Sequence, residues 1–281
     1  MLTVFLLRLH VTESPLNPER RPDVPGLLLG VASLAGLTAG FITAGQVGWL
    51  SPAPGGLLPA GAAAACLFVR AERRRRSPML PLALFRSRNL SGATGVGMIF
   101  NLVLYGSLLC LSLFLQRSRH EPVLATGLLL VPMSLVVGAG SLASGRLTAR
   151  LGPRPPMLAG LTLAAAGAAV LAATGPGTPL AVIVGGSVLL GLVSLAMPAM
   201  TAAVVGAAGP EHAGVASGIL NAARQSGGAL GVALLGALLA SSAAAGHALS
   251  LRLPLAVAAA GYLIVIGLTT VIRTGYRTHI P

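Results

Sequence analysis

The chain has 281 residues, of which 54% are hydrophobic and only 9% charged, with a mean hydropathy of +0.85; that balance excludes an ordinary soluble domain. A net charge of +13 and a pI near 11.8 would suit a nucleic-acid binder if the basic residues lined one solvated face among aromatics. Aromatics are 4% of the chain and the arginines fall in short gaps between apolar runs, which excludes that class.

Taken in chain order, Met1 to Leu9 resembles the core of a signal peptide. It has neither a basic segment before it nor a small-residue cleavage site after it, so it reads as the tail of something longer. Apolar length bounded by Pro, Gly and charge then predicts eight helices: Val24 to Gly45, Gly55 to Val69, Leu90 to Leu115, Val123 to Gly145, Pro156 to Thr174, Pro179 to Val205, Gly214 to Ala240, and Leu253 to Ile272. A bilayer core of about 30 Å takes roughly 20 apolar residues per helix, and the second segment is the shortest. A spanning barrel would need alternating apolar and polar residues, whereas these runs are apolar on every side. The fold class that follows is an all-α polytopic membrane protein of about eight transmembrane helices.

With both ends on one side, that side holds fifteen of the 19 arginines, among them Arg8, Arg70, Arg73 to Arg76, Arg146, Arg150, Arg154 and Arg273. The other side holds Arg117, Arg119 and Arg252, and Arg224 remains inside a span. The positive-inside rule makes the rich side, and both termini, cytoplasmic. Adding or dropping one span would scramble this asymmetry.

Small residues recur four apart, as in Gly214 and Gly218, Gly227 and Gly231, or Ala139 and Ala143. Lipid already solvates apolar side chains, so helices associate by close backbone approach, which small residues allow. Pro132 and Pro198 lie well inside spans, where each frees a carbonyl and introduces either a simple kink or a gating hinge. Cys66 and Cys110 both fall in apolar stretches and behave as small hydrophobes. Neither a disulfide frame nor a metal site is indicated, and no phosphate loop or nucleophile with its base appears. An enzymatic reading has nothing to stand on.

Three stretches carry a family resemblance. Gly214-Val-Ala-Ser-Gly-Ile-Leu-Asn221-Ala-Ala-Arg224-Gln225-Ser-Gly227-Gly228-Ala-Leu-Gly231, preceded by a Gly-rich helix with Pro198, resembles the signature of the next-to-last helix of the fourteen-span drug:proton antiporter family of the major facilitator superfamily. Pro78-Met-Leu-Pro81-Leu-Ala-Leu-Phe85-Arg86-Ser-Arg88 is similar to that family's lead into its C-terminal six-helix bundle. Gly145-Arg146-Leu-Thr-Ala149-Arg150-Leu-Gly152-Pro-Arg154 is similar to the superfamily's cytoplasmic Gly/Arg loop motif, with Ala149 where that motif often carries Asp. Without the resemblance, its arginines read first as topology signals and second as a gate. Asp23, Gly26, Gly48 and Trp49 look like the family's first central helix, with Trp49 as an interfacial anchor.

The resemblance implies a domain order: a cytoplasmic segment 1–23, two central transmembrane helices 24–70, a basic cytoplasmic linker 71–89, a six-helix transporter bundle 90–272, and a cytoplasmic tail 273–281. It implies a multi-pass protein of the cell membrane that exports hydrophobic or amphipathic small molecules by proton antiport, with no cofactor beyond the proton gradient. Its partners would be the lipid bilayer, a small-molecule substrate and an N-terminal six-helix half that this chain lacks. In such transporters the substrate path lies between two rocking bundles. The alternative is a truncated, non-transporting membrane protein, or a half-transporter that needs a partner chain.

The acidic residues Glu13, Glu19, Asp23, Glu72, Glu121 and Glu211 all fall in predicted loops or at helix ends, and none of the five histidines falls mid-span. A proton carrier is therefore expected from outside this chain. Asn221, Arg224, Gln225 and Gly228 follow i, i+3, i+4, i+7 spacing on one helical face, which should face a bundle interior or a wet cavity. Arg224 either ties helix ends or contacts substrate or a gating partner. Asn101 and Tyr105 lie one turn apart, with Ser112 further along the same side; they form either an interhelical hydrogen-bond ladder or part of a cavity lining.

Overall fold

The computed structural model describes residues 23–74, 85, 87–209, 212–244 and 249–271. The amino-terminal segment before Asp23, most of the basic linker and the chain from residue 272 onward lie outside the described residues. So do Glu13, Glu19, Glu211, His10, His247 and His279. The described elements are α1 Val24–Val47, α2 Pro52–Arg74, α3 Arg88–Arg117, α4 Val123–Leu151, α5 Arg154–Ala172, α6 Leu180–Gly191, a 3-10 turn Leu192–Leu195, α7 Ala196–Ala208, α8 Ala213–Ala244 and α9 Arg252–Val271. With α6, the turn and α7 taken as one span Leu180–Ala208, eight helices among the described residues are long and apolar enough to cross a bilayer.

Most of the helices outrun the apolar segments that predict them. The second, read from the sequence as Gly55 to Val69, runs from Pro52 to Arg74, and the fourth continues past Gly145 to Leu151. Apolar composition marks where lipid ends, but backbone hydrogen bonds continue the helix into the headgroup zone, where arginine side chains are solvated. The consequence for the Gly/Arg motif is a correction of its secondary structure. Gly145, Arg146 and Arg150 lie on the last turns of α4, and the connection to α5 shrinks to Gly152 and Pro153. Gly152 takes a φ of +78° and donates its N–H to the Thr148 carbonyl, 3.0 Å away, which closes α4 in the conformation that favours glycine.

The predicted sixth span is also not one regular helix. Pro198 sits in the first turn of α7, immediately after the 3-10 turn at Leu192–Leu195. A proline cannot donate to the carbonyl four residues back and its ring crowds that carbonyl, here Ser194, so the backbone tightens in the turn before it. Two hydroxyls tie the turn to α4: Ser144 Oγ donates to the Leu195 carbonyl at 2.5 Å, and Ser194 Oγ lies 3.5 Å from the Val136 carbonyl. Pro132, by contrast, lies within an uninterrupted α4.

The core is built by α3, α5, α6, α7, α8 and α9, through fully buried Phe100, Phe114, Leu161, Leu190, Met200, Leu235 and Tyr262. Half of the apolar window of α3 and of α5 is buried, against 11% for α1 and for α2. The bundle is thus centred on α3 and α5, while α1 and α2 pair with each other and lean on the rest through α1 against α8. There, a side chain at Gly45 would stand 2.7 Å from Ala237 Cα.

Arginines close the ends of the bundle. Arg119, in the turn between α3 and α4, donates to the carbonyls of Pro176 and Thr178 in the connection between α5 and α6, the latter at 2.7 Å. At the opposite end, Arg154 Nη2 donates to the Thr270 carbonyl at 2.9 Å, so the first residue of α5 satisfies a backbone acceptor in the last turn of α9. Arg154→Gln is expected to cost about 1 kcal/mol and to speed amide exchange in the last turn of α9, read by hydrogen–deuterium exchange in detergent. Unchanged exchange there would show that the bond contributes nothing.

Candidate functional site

The most extensive helix pair in the bundle is α3 with α8, and its seam explains the Gly-rich signature. A Cβ at Gly227 would overlap the Met98 carbonyl, and one at Gly231 would overlap the Leu102 carbonyl and stand 2.6 Å from Leu102 Cα. From the other side, a Cβ at Gly106 would lie 2.6 Å from the Gly231 carbonyl. The two backbones touch with nothing between them, which is how helices bind in lipid.

This close approach fixes the polar residues around it. Asn101 on α3 is 4% exposed, and its Nδ2 donates to the Arg224 carbonyl at 2.9 Å. Its Oδ1 is buried without a hydrogen-bond partner. Arg224 is half-buried, and its stem lies along α3 at Gly97, where a Cβ would come 3.2 Å from Arg224 Cγ, 2.7 Å from Leu220 Cδ1 and 3.1 Å from Met200 Sδ of α7. Its Nε is likewise buried without a hydrogen-bond partner. The Tyr105 ring lies over Gly228, 3.1 Å from where a Cβ would stand. Tyr105 remains 48% exposed.

The predicted residues therefore divide. Asn101, Tyr105, Arg224 and Gly228 are brought together where α3 meets α8. Asn221 and Gln225, on the same side of α8, are exposed on the outside of the bundle rather than turned into its interior. Ser112 does not join them; its hydroxyl accepts from Gln116 Nε2 at 2.9 Å along α3. Gly145, Arg146 and Arg150 are exposed at the far end of α4 and Arg154 caps α9, well apart from this cluster in the fold. Sequence reasoning missed Gly97, which admits the arginine stem. The available signal was its position one turn before Asn101 on the same face of α3.

Arg224 lies eleven residues into α8, about 16 Å from the start of that helix. The three described carboxylates are remote from it in the fold: Asp23 caps α1, Glu72 is buried in the last turn of α2, and Glu121 follows α3. Asp23 Oδ1 accepts from the Gly26 N–H at 2.7 Å, which assigns that residue a capping role. The arrangement is a partly open polar patch, carrying one positive charge and several neutral hydrogen-bonding groups, on a surface otherwise made for lipid.

The Methylenomycin A resistance protein of Streptomyces coelicolor is 38% identical over 212 residues, a stretch that covers 74% of this chain and 44% of that protein. Multidrug resistance protein Stp of Mycobacterium tuberculosis is 34% identical over 226 residues, 80% of this chain and 42% of its own length. The puromycin resistance protein of Streptomyces alboniger is 34% identical over 215 residues, 74% and 42% respectively. The chain thus spans less than half the length of these relatives. Residues 16–232 match the profile of the Major Facilitator Superfamily, and with eight membrane-length helices of the kind that superfamily uses, the chain belongs to it.

Proposed function

We propose that this chain forms the two central helices and one six-helix bundle of an exporter of hydrophobic or amphipathic small molecules. The observation that carries the reading is the patch formed by Tyr105, Asn221, Arg224 and Gln225. Tyr105, Asn221 and Gln225 are exposed on the bundle surface and Arg224 is half-buried among them; a face meant only for lipid would carry no such groups, and the patch suits a wall that looks into a water-filled path. The names of relatives speak of antibiotic and multidrug resistance, and that of the tetracenomycin C resistance and export protein of Streptomyces glaucescens speaks of export, which supports export as the direction. The arginine-rich ends face the cytoplasm and the membrane is the cell membrane.

Transport takes two facing bundles, and the second is contributed by sequence beyond this chain or by another chain. Proton coupling, the energy source adopted here, falls to carboxylates in that other bundle, since Asp23, Glu72 and Glu121 all sit at helix ends. The test is uncoupler-sensitive efflux of Nile red, a neutral amphiphile, from vesicles. The chain alone is expected to give none, and the chain fused behind the amino-terminal portion of the Streptomyces coelicolor relative is expected to give efflux that the double variant Tyr105→Ala, Gln225→Ala reduces about tenfold. A fusion that inserts and folds but exports nothing would sink the proposal, as would full efflux by the double variant.

A further inference from the structure

The polar patch contains a guanidinium nitrogen without an acceptor. Arg224 Nε is buried with no acceptor, and Asn101 Oδ1, on a side chain only 4% exposed, is buried with no donor. Asn101 cannot turn to serve the arginine without giving up its bond to the Arg224 carbonyl. The Tyr105 ring lies over Gly228, one turn beyond Arg224 on α8, and is half exposed. The helices that surround Arg224, α3, α7 and α8, carry no carboxylate among the described residues.

A guanidinium at this depth is costly unless an anion or water answers it. Its stem is held against α3 because Gly97 leaves room for it, while Leu220 and Met200 crowd the same spot. The charge is therefore placed in advance, and a ligand would not have to order it. A planar acid matches the guanidinium better than any neutral group, because its oxygens accept charge-assisted hydrogen bonds in a fixed geometry. A hydroxyl next to that acid would supply the donor that Asn101 Oδ1 lacks, and the exposed Tyr105 ring offers an apolar face for the body of the molecule.

Resting on the export reading above, we infer that Arg224 selects substrates that carry an acidic group, a carboxylate or an equally delocalised anion, in preference to cationic amphiphiles. The probe pair is 2-naphthoate and its cationic analogue 2-naphthylmethylamine, titrated by calorimetry into the purified full chain in neutral detergent. Naphthoate is expected to bind about tenfold more tightly than the amine, and Arg224→Gln to abolish that difference. Arg224→Lys keeps the charge without the fork and is expected to retain part of it. Each variant is checked for unchanged helicity and a monodisperse elution peak.

Equal affinity for the two probes, unaltered by Arg224→Gln, overturns the acid preference and leaves export of amphiphiles standing. No binding of either probe overturns the acid preference and leaves the export reading to the vesicle test. Displacement of naphthoate by added phosphatidylglycerol would assign the arginine to a lipid headgroup and overturn the substrate reading.

Discussion

Replacing Gly231 by leucine is expected to abolish the folded bundle. The new side chain would start inside the Leu102 carbonyl, so the obstacle is backbone, which no rotamer change can move. Overpacking a core ordinarily costs about 1 to 3 kcal/mol because neighbouring side chains can yield; here α3 and α8 would have to separate. Separation would also expose the neighbouring contact of Gly227 with Met98 and the Asn101 bond to the Arg224 carbonyl. The loss should exceed about 3 kcal/mol, seen as aggregation in detergent or a collapse of the thermal midpoint. The matched control is Gly145→Leu, which meets open space at the end of α4 and should leave the midpoint within a few degrees. Equal behaviour of the two variants would show that the α3–α8 seam does not hold the bundle.

The second large effect is expected at Gly160. A Cβ on this α5 residue would stand 2.9 Å from the Leu192 carbonyl, 3.0 Å from Leu195 Cβ and 3.1 Å from the Ala196 nitrogen. Those atoms belong to the 3-10 turn before Pro198 and the first residue of α7, and Ser144 of α4 holds the same turn at the Leu195 carbonyl. The turn is clamped between α4 and α5, so it cannot retreat. Gly160→Leu should cost about 2 to 3 kcal/mol, whereas Gly185→Leu on α6, where nothing lies within 4 Å, should be close to neutral. Thermal unfolding of the two purified variants decides the matter, and matching midpoints would mean the turn has slack.

How much of this was legible in the sequence depends on whether a feature is local. Eight spans could be read from apolar length, and the starts at Val24 and Val123 coincide with the helices, because a bilayer imposes the same length rule on every segment. Helix ends were less legible: Arg117 and Leu151 extend their helices past the apolar stretch, where hydropathy no longer reports on backbone hydrogen bonding. Pro198 announced a disturbance, but its form depended on Ser144 in α4, 51 residues before the Leu195 whose carbonyl it holds, and on Gly160 in α5. The signature residues around Arg224 were recognisable as one face of a helix. Their division into exposed Asn221 and Gln225, half-buried Arg224 and buried Gly228 was not, because it is set by Gly97, Asn101 and Tyr105 on a helix more than a hundred positions earlier. Contacts between distant segments leave no mark on periodicity.

The two arginine ties at the ends of α5 bear on how the bundle can move. Arg154 opens this helix and holds the last turn of α9, while the connection that follows it is gripped by Arg119 from the α3–α4 turn. Fastened top and bottom to different neighbours, α5 acts as a strut: a tilt imposed at one membrane surface arrives at the other as a displacement, not as bending lost along the way. Flexing is left to the helix beside it, where the tight turn before Pro198 already interrupts the regular backbone.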